Sequence, residues 1–307
     1  MSVIVFGSIN MDLVARTPKL PVPGETLIGH SFTTVPGGKG ANQAVAAARL
    51  GIATEFVGRV GDDAFGETLL RGLKTDRVGC SHVQVDPSTH SGIAMIAVDD
   101  ASENNIIVIP GANGKMDETD VEHLRSVLPQ AKVLLLQLEI PLPIVFTAAK
   151  AAKEAGVTVI LDPAPARADL PNELYALVDI ITPNEIEASQ LIGSAIDSEA
   201  TAIQAAEVLQ QRGVKTVIIK RGRQGAIALT PTETLAIPPF PVQAVDTVAA
   251  GDAFNGGLAA SLAEGLSFQD AAILASAVAA LSVTQPGAQA SLPTREALNT
   301  FLSQTKW

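Results

Sequence analysis

Two carboxylates bracket a run of small residues in Ala244-Val-Asp246-Thr-Val248-Ala-Ala250-Gly251-Asp252-Ala-Phe-Asn-Gly-Gly257. Ala249, Ala250 and Gly251 let a ligand approach the backbone closely, and the Ala/Leu-rich stretch Ala253 to Leu262 reads as a helix. The free amides at the start of that helix would point at whatever sits there. Asp252 then has two readings. It could cap the helix, as Asp commonly does at this location. It could also take a proton from an attacking hydroxyl while the amides stabilise charge growing on a transferring phosphoryl group. Residue types alone leave the two even. A helix N-terminus favours the ionised carboxylate, which predicts an Asp252 unprotonated at neutral pH and ready to accept.

A second segment, Pro36-Gly37-Gly38-Lys39-Gly40-Ala41-Asn42-Gln43, is a tight loop with polar tips at Lys39 and Asn42. It is not a P-loop: GxxxxGK[ST] asks for glycine at position 33 or 34 and Ser or Thr after the lysine, where Thr33, Thr34 and Gly40 stand. Nor is it the dinucleotide fingerprint, since GxGxxG read from Gly38 ends at Gln43. Alone it reads as a structural turn. Third, in Gly7-Ser-Ile-Asn10-Met-Asp12, continuing the first apolar strand, Asn10 and Asp12 share one face near the strand's carboxyl end. Glu139 ends the strand Val133–Leu138 in the same way, and Asn184 and Glu187 follow Ile180-Ile181-Thr182. Singly, each is an ordinary loop residue. Together they put polar groups at strand exits, the edge where open α/β sheets bind ligands. A hydroxyl-rich ligand needs such convergent groups, because an unpaired buried one costs about 1–3 kcal/mol.

The elements that must position these residues alternate. Strands are expected at Val3–Phe6, near Glu55–Val60, near Val83–Val85, and over Val133–Leu138, Val157–Leu161 and Thr216–Ile219; helices at Ala41–Leu50, Ala64–Leu73 and Thr201–Arg212, with another running up to Gly156. Continuous apolar runs suit parallel strands covered on both faces, so the fold class is α/β, a doubly wound, mostly parallel sheet with helices on both faces. Two stretches break the rhythm. Residues 13–36 hold Pro18, Pro21, Pro23 and Pro36 and the extended run Thr26–Val35; residues 92–109 read as a hairpin, with apolar runs at Gly92–Val98 and Ile106–Ile109. Both are assigned to a small β-sheet lid, leaving 1–12, 37–91 and 110–307 as the main domain. A lid beside a ligand crevice would close over it.

Composition narrows the function classes. Among 307 residues, 21 Lys plus Arg face 32 Asp plus Glu, a net charge of −11 that repels a phosphate backbone and argues against a nucleic-acid partner. A small anion can still be held locally by backbone amides. Cys80 is the only cysteine, so no intramolecular disulfide or CxxC motif exists. The four histidines, His30, His82, His90 and His123, show no HExxH spacing. The start, MSVIVFGSINMD, lacks the basic flank of a secretory signal. The apolar stretch Ala271 to Val283 is shorter than the roughly 20 residues a membrane span needs. A cytoplasmic protein without a membrane partner is expected, with Trp307 as an exposed end.

On these motifs the sequence resembles the PfkB-type carbohydrate kinase family, and within it the ribokinases, from the opening strand almost to the C-terminus. The likeness rests on Gly7-Ser-Ile-Asn-Met-Asp12, Gly37-Gly-Lys-Gly-Ala-Asn42, Gln137-Leu-Glu139, Thr182-Pro-Asn-Glu185, Val245-Asp-Thr-Val-Ala-Ala-Gly-Asp252 and Gly287-Ala-Gln289. The Gly-Asp segment marks the superfamily at large; the glycine loop with the Asn-x-Asp strand is narrower and points toward ribose.

The resemblance implies ATP-dependent phosphorylation of D-ribose at the 5-hydroxyl. In such an enzyme Asn10, Asp12, Gly38, Lys39, Gly40, Asn42 and Glu139 would hold the sugar, and Asp252 would be the base. Ala250 and Gly251 would form the anion hole for the γ-phosphate. Asn184 and Glu187 would act on Mg²⁺ and phosphate largely through water. Lys220, Arg221, Gly222, Arg223, Gln224 and Gly225 would line the nucleotide, with Ser276 near the adenine. K⁺ would be held by the Asp246 carboxylate, the Val248, Ser282, Gln285 and Gly287 carbonyls, and the Ser291 hydroxyl. A homodimer through the lid is implied as well. Lys220-Arg221, Ser276 and Gln285-Pro286 depart from the family's usual residues. The first two bear on nucleoside-base selectivity, and the last leaves carbonyl ligation of K⁺ intact. Other readings are the same chemistry on deoxyribose, a ketohexose or a nucleoside, and a non-catalytic sugar- or nucleotide-binding relative. A metal-dependent hydrolase using Asp246 and Asp252 would need a ligand cluster that the histidines do not supply.

Overall fold

Apolar runs of four or five residues with no polar alternation must be covered on both faces, and here they are. The computed structural model describes residues 2–101 and 103–305; Trp307 lies outside the described residues. The chain runs β1 (Ser2–Phe6), β2 (Asn10–Arg16), β3 (Ser31–Gly37), α1 (Lys39–Arg49), β4 (Ala53–Gly61), α2 (Ala64–Thr75), β5 (Val78–Asp86), β6 (Gly92–Val98) and β7 (Asn104–Ile109). It continues through α3 (Glu118–Val127), β8 (Val133–Leu136), α4 (Leu142–Glu154), β9 (Thr158–Leu161), α5 (Asn172–Tyr175), β10 (Ile180–Ile181), α6 (Glu185–Ile192) and α7 (Glu199–Gln211). The last elements are β11 (Thr216–Lys220), β12 (Ala226–Leu229), β13 (Thr234–Ile237), α8 (Ala250–Glu264), α9 (Phe268–Ser282) and α10 (Arg295–Gln304).

Nine strands form one sheet in the order β13-β12-β11-β10-β9-β8-β1-β4-β5. All neighbours are parallel except at β12 and β13, which pair antiparallel. One face packs on α1, α2, α8 and α9, the other on α3, α4, α6 and α7. Phe6 and Leu134 are fully buried, each such side chain contributing about 1.5–3 kcal/mol over exposure. The strand order turns around β1, with β4 and β5 built on one side and β8 through β13 on the other. That reversal opens a crevice at the carboxyl ends of the central strands.

The second sheet has four strands, in the order β3-β2-β6-β7. Its first strand starts at Asn10, so the expected boundary after residue 12 falls inside β2, and Asn10 and Asp12 belong to the small sheet rather than to the end of β1. The physical reason is Asn113, which binds the Ile9 backbone through both its N–H and its carbonyl and turns the chain out of the large sheet there. The expected extended run from Thr26 is also corrected: residues 26–30 lie outside the strand, and ladder pairing begins at Ser31, opposite Arg16, next to a bond from His30 N to Arg16 O.

α1 is nearly all small residues, with Ala41, Ala44, Val45, Ala46 and Ala47 fully buried, and this lets it lie close on α8. At the crossing, a Cβ on Gly256 would meet the Gln43 carbonyl at 2.7 Å and also strike the Ala46 side chain. Glycine there sets how near the first turn of α8 comes to Asn42 and Gln43.

Candidate active site

α8 begins three residues earlier than its Ala/Leu pattern suggests. Ala249 is the N-cap, at φ 59, and Ala250, Gly251 and Asp252 are the first three helical residues. A non-glycine residue in the left-handed region costs about 1–3 kcal/mol and is found mainly where function holds it. The reading of Asp252 as a helix cap is therefore corrected: it lies inside the first turn. Its carboxylate is taken up by α1 instead, Asn42 Nδ2 donating to Oδ2 at 2.9 Å and Gln43 Nε2 to Oδ1 at 3.1 Å. Burial pushes this carboxyl up to about 6, helped by Asp162 and opposed by Lys39 and the two amides. The helix N-terminus alone predicted a lower proton affinity; desolvation outweighs it.

Around Asp252 the polar residues of the glycine loop and the small sheet converge. Ser8 Oγ donates to Glu139 Oε2 at 2.5 Å, and the Lys39 amide donates to the same oxygen at 3.2 Å. Asn113 Nδ2 donates to Asn10 Oδ1 at 2.7 Å, so Asn10 presents its own NH₂ group outward. Gly38 has φ 88, and a Cβ there would meet Asn10 N at 2.7 Å and Ile9 Cα at 2.8 Å, so only glycine brings the loop this close. Burial, then Glu139 and Asp252, push the Asp12 carboxyl up to about 7. Burial disfavours the Lys39 ammonium, but Asp252, Asp162, Glu139 and Glu187 outweigh it and raise its proton affinity above the ordinary lysine range. Asn42 Oδ1 is buried without a hydrogen-bond partner among the described residues. Such an acceptor awaits a donor, and a hydroxyl supplies one.

On the other side of Asp252 lies a cavity of about 750 Å³. Lys39, Asp162, Asn184, Glu187, Lys220 and the α8 N-terminus line its polar end; Phe240, Val242, Phe254, Ala280 and Val283 are among the apolar groups along it. Gly222, Arg223, Gly225 and Ser276 also line it. Arg221 and Gln224 do not: Arg221 pairs with Glu185 and Glu199, each at 3.5 Å. Asn184 and Glu187 form the capping box of α6, Asn184 Oδ1 accepting from Glu187 N at 2.8 Å and Glu187 Oε2 from Asn184 N at 2.7 Å. Glu187 is pushed up by burial, with Lys220 opposing and Asp162 adding.

Asp246 ties two loops together. Its Oδ1 accepts from Val248 N at 3.0 Å and its Oδ2 from Gly287 N at 2.8 Å. Ser282 and Ser291 donate to the Ala279 and Ala288 carbonyls, each at 2.8 Å. Among the described residues, the Val248, Gln285 and Gly287 carbonyls accept no hydrogen bond, whereas the Ser282 carbonyl accepts from Gln285 N. Free carbonyls beside a carboxylate are hard oxygen donors.

Three residues were given no role from the sequence. Asp162, 2 % exposed at the exit of β9, accepts from Lys220 Nζ at 3.1 Å and from Gln43 Nε2 at 3.0 Å. An acid directly after Val159-Ile160-Leu161 carries the same signal that singled out Glu139. Gln43 and Gln137 are both fully buried, and a glutamine in an alanine-rich helix was the visible sign of the first.

The sequence model described as pfkB family carbohydrate kinase matches residues 1–295. The chain is 44% identical over 298 residues to a ribokinase of Haemophilus influenzae, covering 97% of both. It is 37% identical over 303 residues to a deoxyribokinase of Salmonella typhi, covering 99% of both. The structure of Arabidopsis thaliana ribokinase complexed with ribose and ATP superposes with a TM-score of 0.92 at 36% identity, covering 99% of each chain. A matched model over nearly the whole length, relatives aligned end to end and a shared architecture agree, and the chain belongs to the pfkB family of carbohydrate kinases.

Proposed function

We propose that the chain transfers the γ-phosphoryl group of ATP to the 5-hydroxyl of D-ribose, giving ADP and ribose 5-phosphate. One observation carries the reading: Asp252 is buried where the hydroxyl-binding cluster, the open cavity and the α8 amides meet, and Asn42 holds it from the sugar side. The Arabidopsis relative bound to ribose and ATP supports the same pair of substrates.

The triphosphate lies in the cavity with its terminal group at the first turn of α8. There the Ala250 and Gly251 amides and the helix dipole take up charge on the transferring group. Ribose lies against Asn10, Asp12, Gly38, Lys39, Gly40, Asn42 and Glu139. The 5-hydroxyl gives its proton to Asp252, its oxygen forms the new bond to the γ-phosphorus, and the bond to the β–γ bridging oxygen breaks as ADP leaves with the electron pair. The transition state is loose, so positioning and electrostatics dominate. Lys39, kept charged by the surrounding carboxylates, offsets the negative charge of the triphosphate.

Two ions fit the donors present. Glu187 spends only Oε2 on its capping box, leaving a carboxylate oxygen at the cavity for the waters of Mg²⁺, which neutralises phosphate charge when bound. The Asp246 carboxylate and the free Val248, Gln285 and Gly287 carbonyls, with Ser282 and Ser291 beside them, suit K⁺, which would stiffen the loop leading into α8. The small sheet acts as the lid: Asp12, Ala94 and Val108 are in register on the face that carries Asn10, toward the sugar. Its opposite face, with Phe32, Met95 and Ile107 at 63%, 49% and 62% exposure, pairs with a second copy in a homodimer. No helix among the described residues is long and apolar enough to cross a membrane. Dependence on ATP accords with a cytoplasmic location.

The test is ADP formation over D-ribose, 2-deoxyribose, ketohexoses and nucleosides, with and without K⁺. D-ribose is expected to give the highest kcat/KM, and preference for another acceptor overturns the assignment.

A further inference from the structure

The base is held by a residue that touches neither the cavity nor, with ribose placed as above, the sugar. Gln43 does not line the cavity, yet its amide nitrogen serves two carboxylates at once, Asp252 Oδ1 at 3.1 Å and Asp162 Oδ2 at 3.0 Å. A primary amide has two N–H donors and one acceptor oxygen. Both donors are spent on acids only while the oxygen points away from them. Gln137 Nε2 enforces this, donating to Gln43 Oε1 at 2.7 Å. Gln137 is itself closely packed: it follows β8 directly, is fully buried, and its Oε1, which has no hydrogen-bond partner among the described residues, lies where a Cβ on Gly7 would sit and 3.0 Å from one on Gly40. A flipped Gln43 would turn its oxygen onto two carboxylates and its NH₂ onto another NH₂. Only one orientation of the amide satisfies its surroundings.

We propose that Gln43, locked by Gln137, is a positioning residue for the proton-abstracting carboxylate, fixing the orientation of Asp252 and keeping it ionised while the sugar is bound. The inference rests on the reading of Asp252 as base. Asn42, the other donor to Asp252, lies in the sugar cluster and has a free acceptor that a hydroxyl can engage. Gln43 has no such second duty, so its hold survives substrate binding. The groups facing Asp252 are Lys39 from α1, Asp162 after β9 and Asp12 on β2, with Lys220 of β11 reaching it through Asp162. Two of the nearest charges are acids and would draw a proton onto Asp252. The amide hydrogen bond opposes them, because it favours the charged form.

The test is the pH profile of kcat/KM for ribose in Gln43→Leu, Gln137→Met and the double variant. Gln43→Leu is expected to lose about 10- to 100-fold in kcat and to move the acid limb up by about one pH unit, with KM for ATP unchanged. Gln137→Met is expected to move the limb the same way by less, and the double variant to match Gln43→Leu alone, since Gln137 acts only through Gln43. Gln43→Glu, which adds a like charge, is expected to move it further. Should Gln43→Leu not fold, the shift in Gln137→Met decides. An acid limb that stays in place while stability falls, or additive losses in the double variant, overturns the inference. Asp252→Asn separates the two claims: if it is inactive and the limb still does not move, only the role of Gln43 fails; if it turns over normally, the base assignment fails.

Discussion

Asn42 Nδ2 and Asp252 Oδ2 meet at 2.9 Å across 210 positions of sequence, joining the glycine loop to the first turn of α8. The same Asn42 leaves its Oδ1 buried and unpaired. In the proposed reaction one side chain would face the base with its donor and the sugar with its acceptor. Asn42→Leu is expected to raise KM for ribose and lower kcat, each by about tenfold, the scale of one lost buried hydrogen bond, while KM for ATP stays within a factor of two. Steady-state kinetics in both substrates check this; a change in only one ribose parameter would mean the residue serves one role.

Asp252→Asn keeps the shape of the side chain and removes the proton acceptor. A fall in kcat on the order of 10²–10⁴ is expected, the usual contribution of a positioned acid–base group. In the unsubstituted protein the reactive form is the carboxylate, so kcat/KM is expected to decline as pH falls through about 6. The variant's residual rate should lack that limb, because nothing titrates there. Rates measured from pH 5 to 8 decide.

Asp12 affects stability through its raised proton affinity. In the fold its carboxyl holds a proton up to about pH 7, whereas in the unfolded chain it does so only to about 3.9. Its contribution to stability is thus fully present below pH 4 and lost as pH rises through 7. Asn carries no charge to bury. Asp12→Asn is expected to melt at least about 2 °C above the unsubstituted protein at pH 8, the gain shrinking toward pH 4. An ionised Asp12 is the better acceptor of hydroxyls, so ribose affinity is expected to rise between pH 6 and 8 and the variant to lose that rise.

The large sheet was legible because its strands are unbroken apolar runs and its helices end at glycines such as Gly51, Gly156 and Gly213. Start points were not. Asn10 and Asp12 look like the tail of β1, and only the long-range hold of Asn113 on Ile9 diverts them into the second sheet. A cap and a base were equally open for Asp252 because local pattern cannot tell that Ala249 adopts φ 59 and starts the helix three residues early. Asp162 and Gln137 were hidden for a simpler reason: each gains its meaning from partners more than 50 positions away. The resemblance to a known family supplied the roles expected of the Asp246–Gly287 loop pair, most of whose proposed donors are backbone carbonyls and leave no mark in residue type.

That loop gives a separate prediction. Asp246 accepts amides from both strands of the loop pair, Val248 and Gly287. Asp246→Ala releases them and removes the carboxylate tied to this loop pair. Activity of the unsubstituted protein is expected to rise on replacing NaCl with KCl at constant ionic strength, and its Tm to rise with it. Asp246→Ala is expected to lose both responses. A variant stimulated and stabilised by K⁺ as before would place the cation elsewhere.

On the outer face of the small sheet, Met95 pairs in register with Leu13 and Ile107, opposite the face of Asp12, and Phe32 lies further along the same side. Large apolar side chains left this exposed on a sheet whose outer strands β3 and β7 also have open edges need cover. A second copy would supply the same apolar groups, and a two-fold arrangement would satisfy both at once. Ile107→Asp puts a charge into that contact without disturbing the core, since Ile107 is 62% exposed within the chain. Light scattering after size exclusion is expected to give a dimer for the unsubstituted protein and half that mass for the variant, with KM for ribose raised because an unpaired lid closes less firmly. A variant that keeps the full mass, or an unsubstituted protein that is already monomeric at tens of micromolar, would leave the face to some other partner.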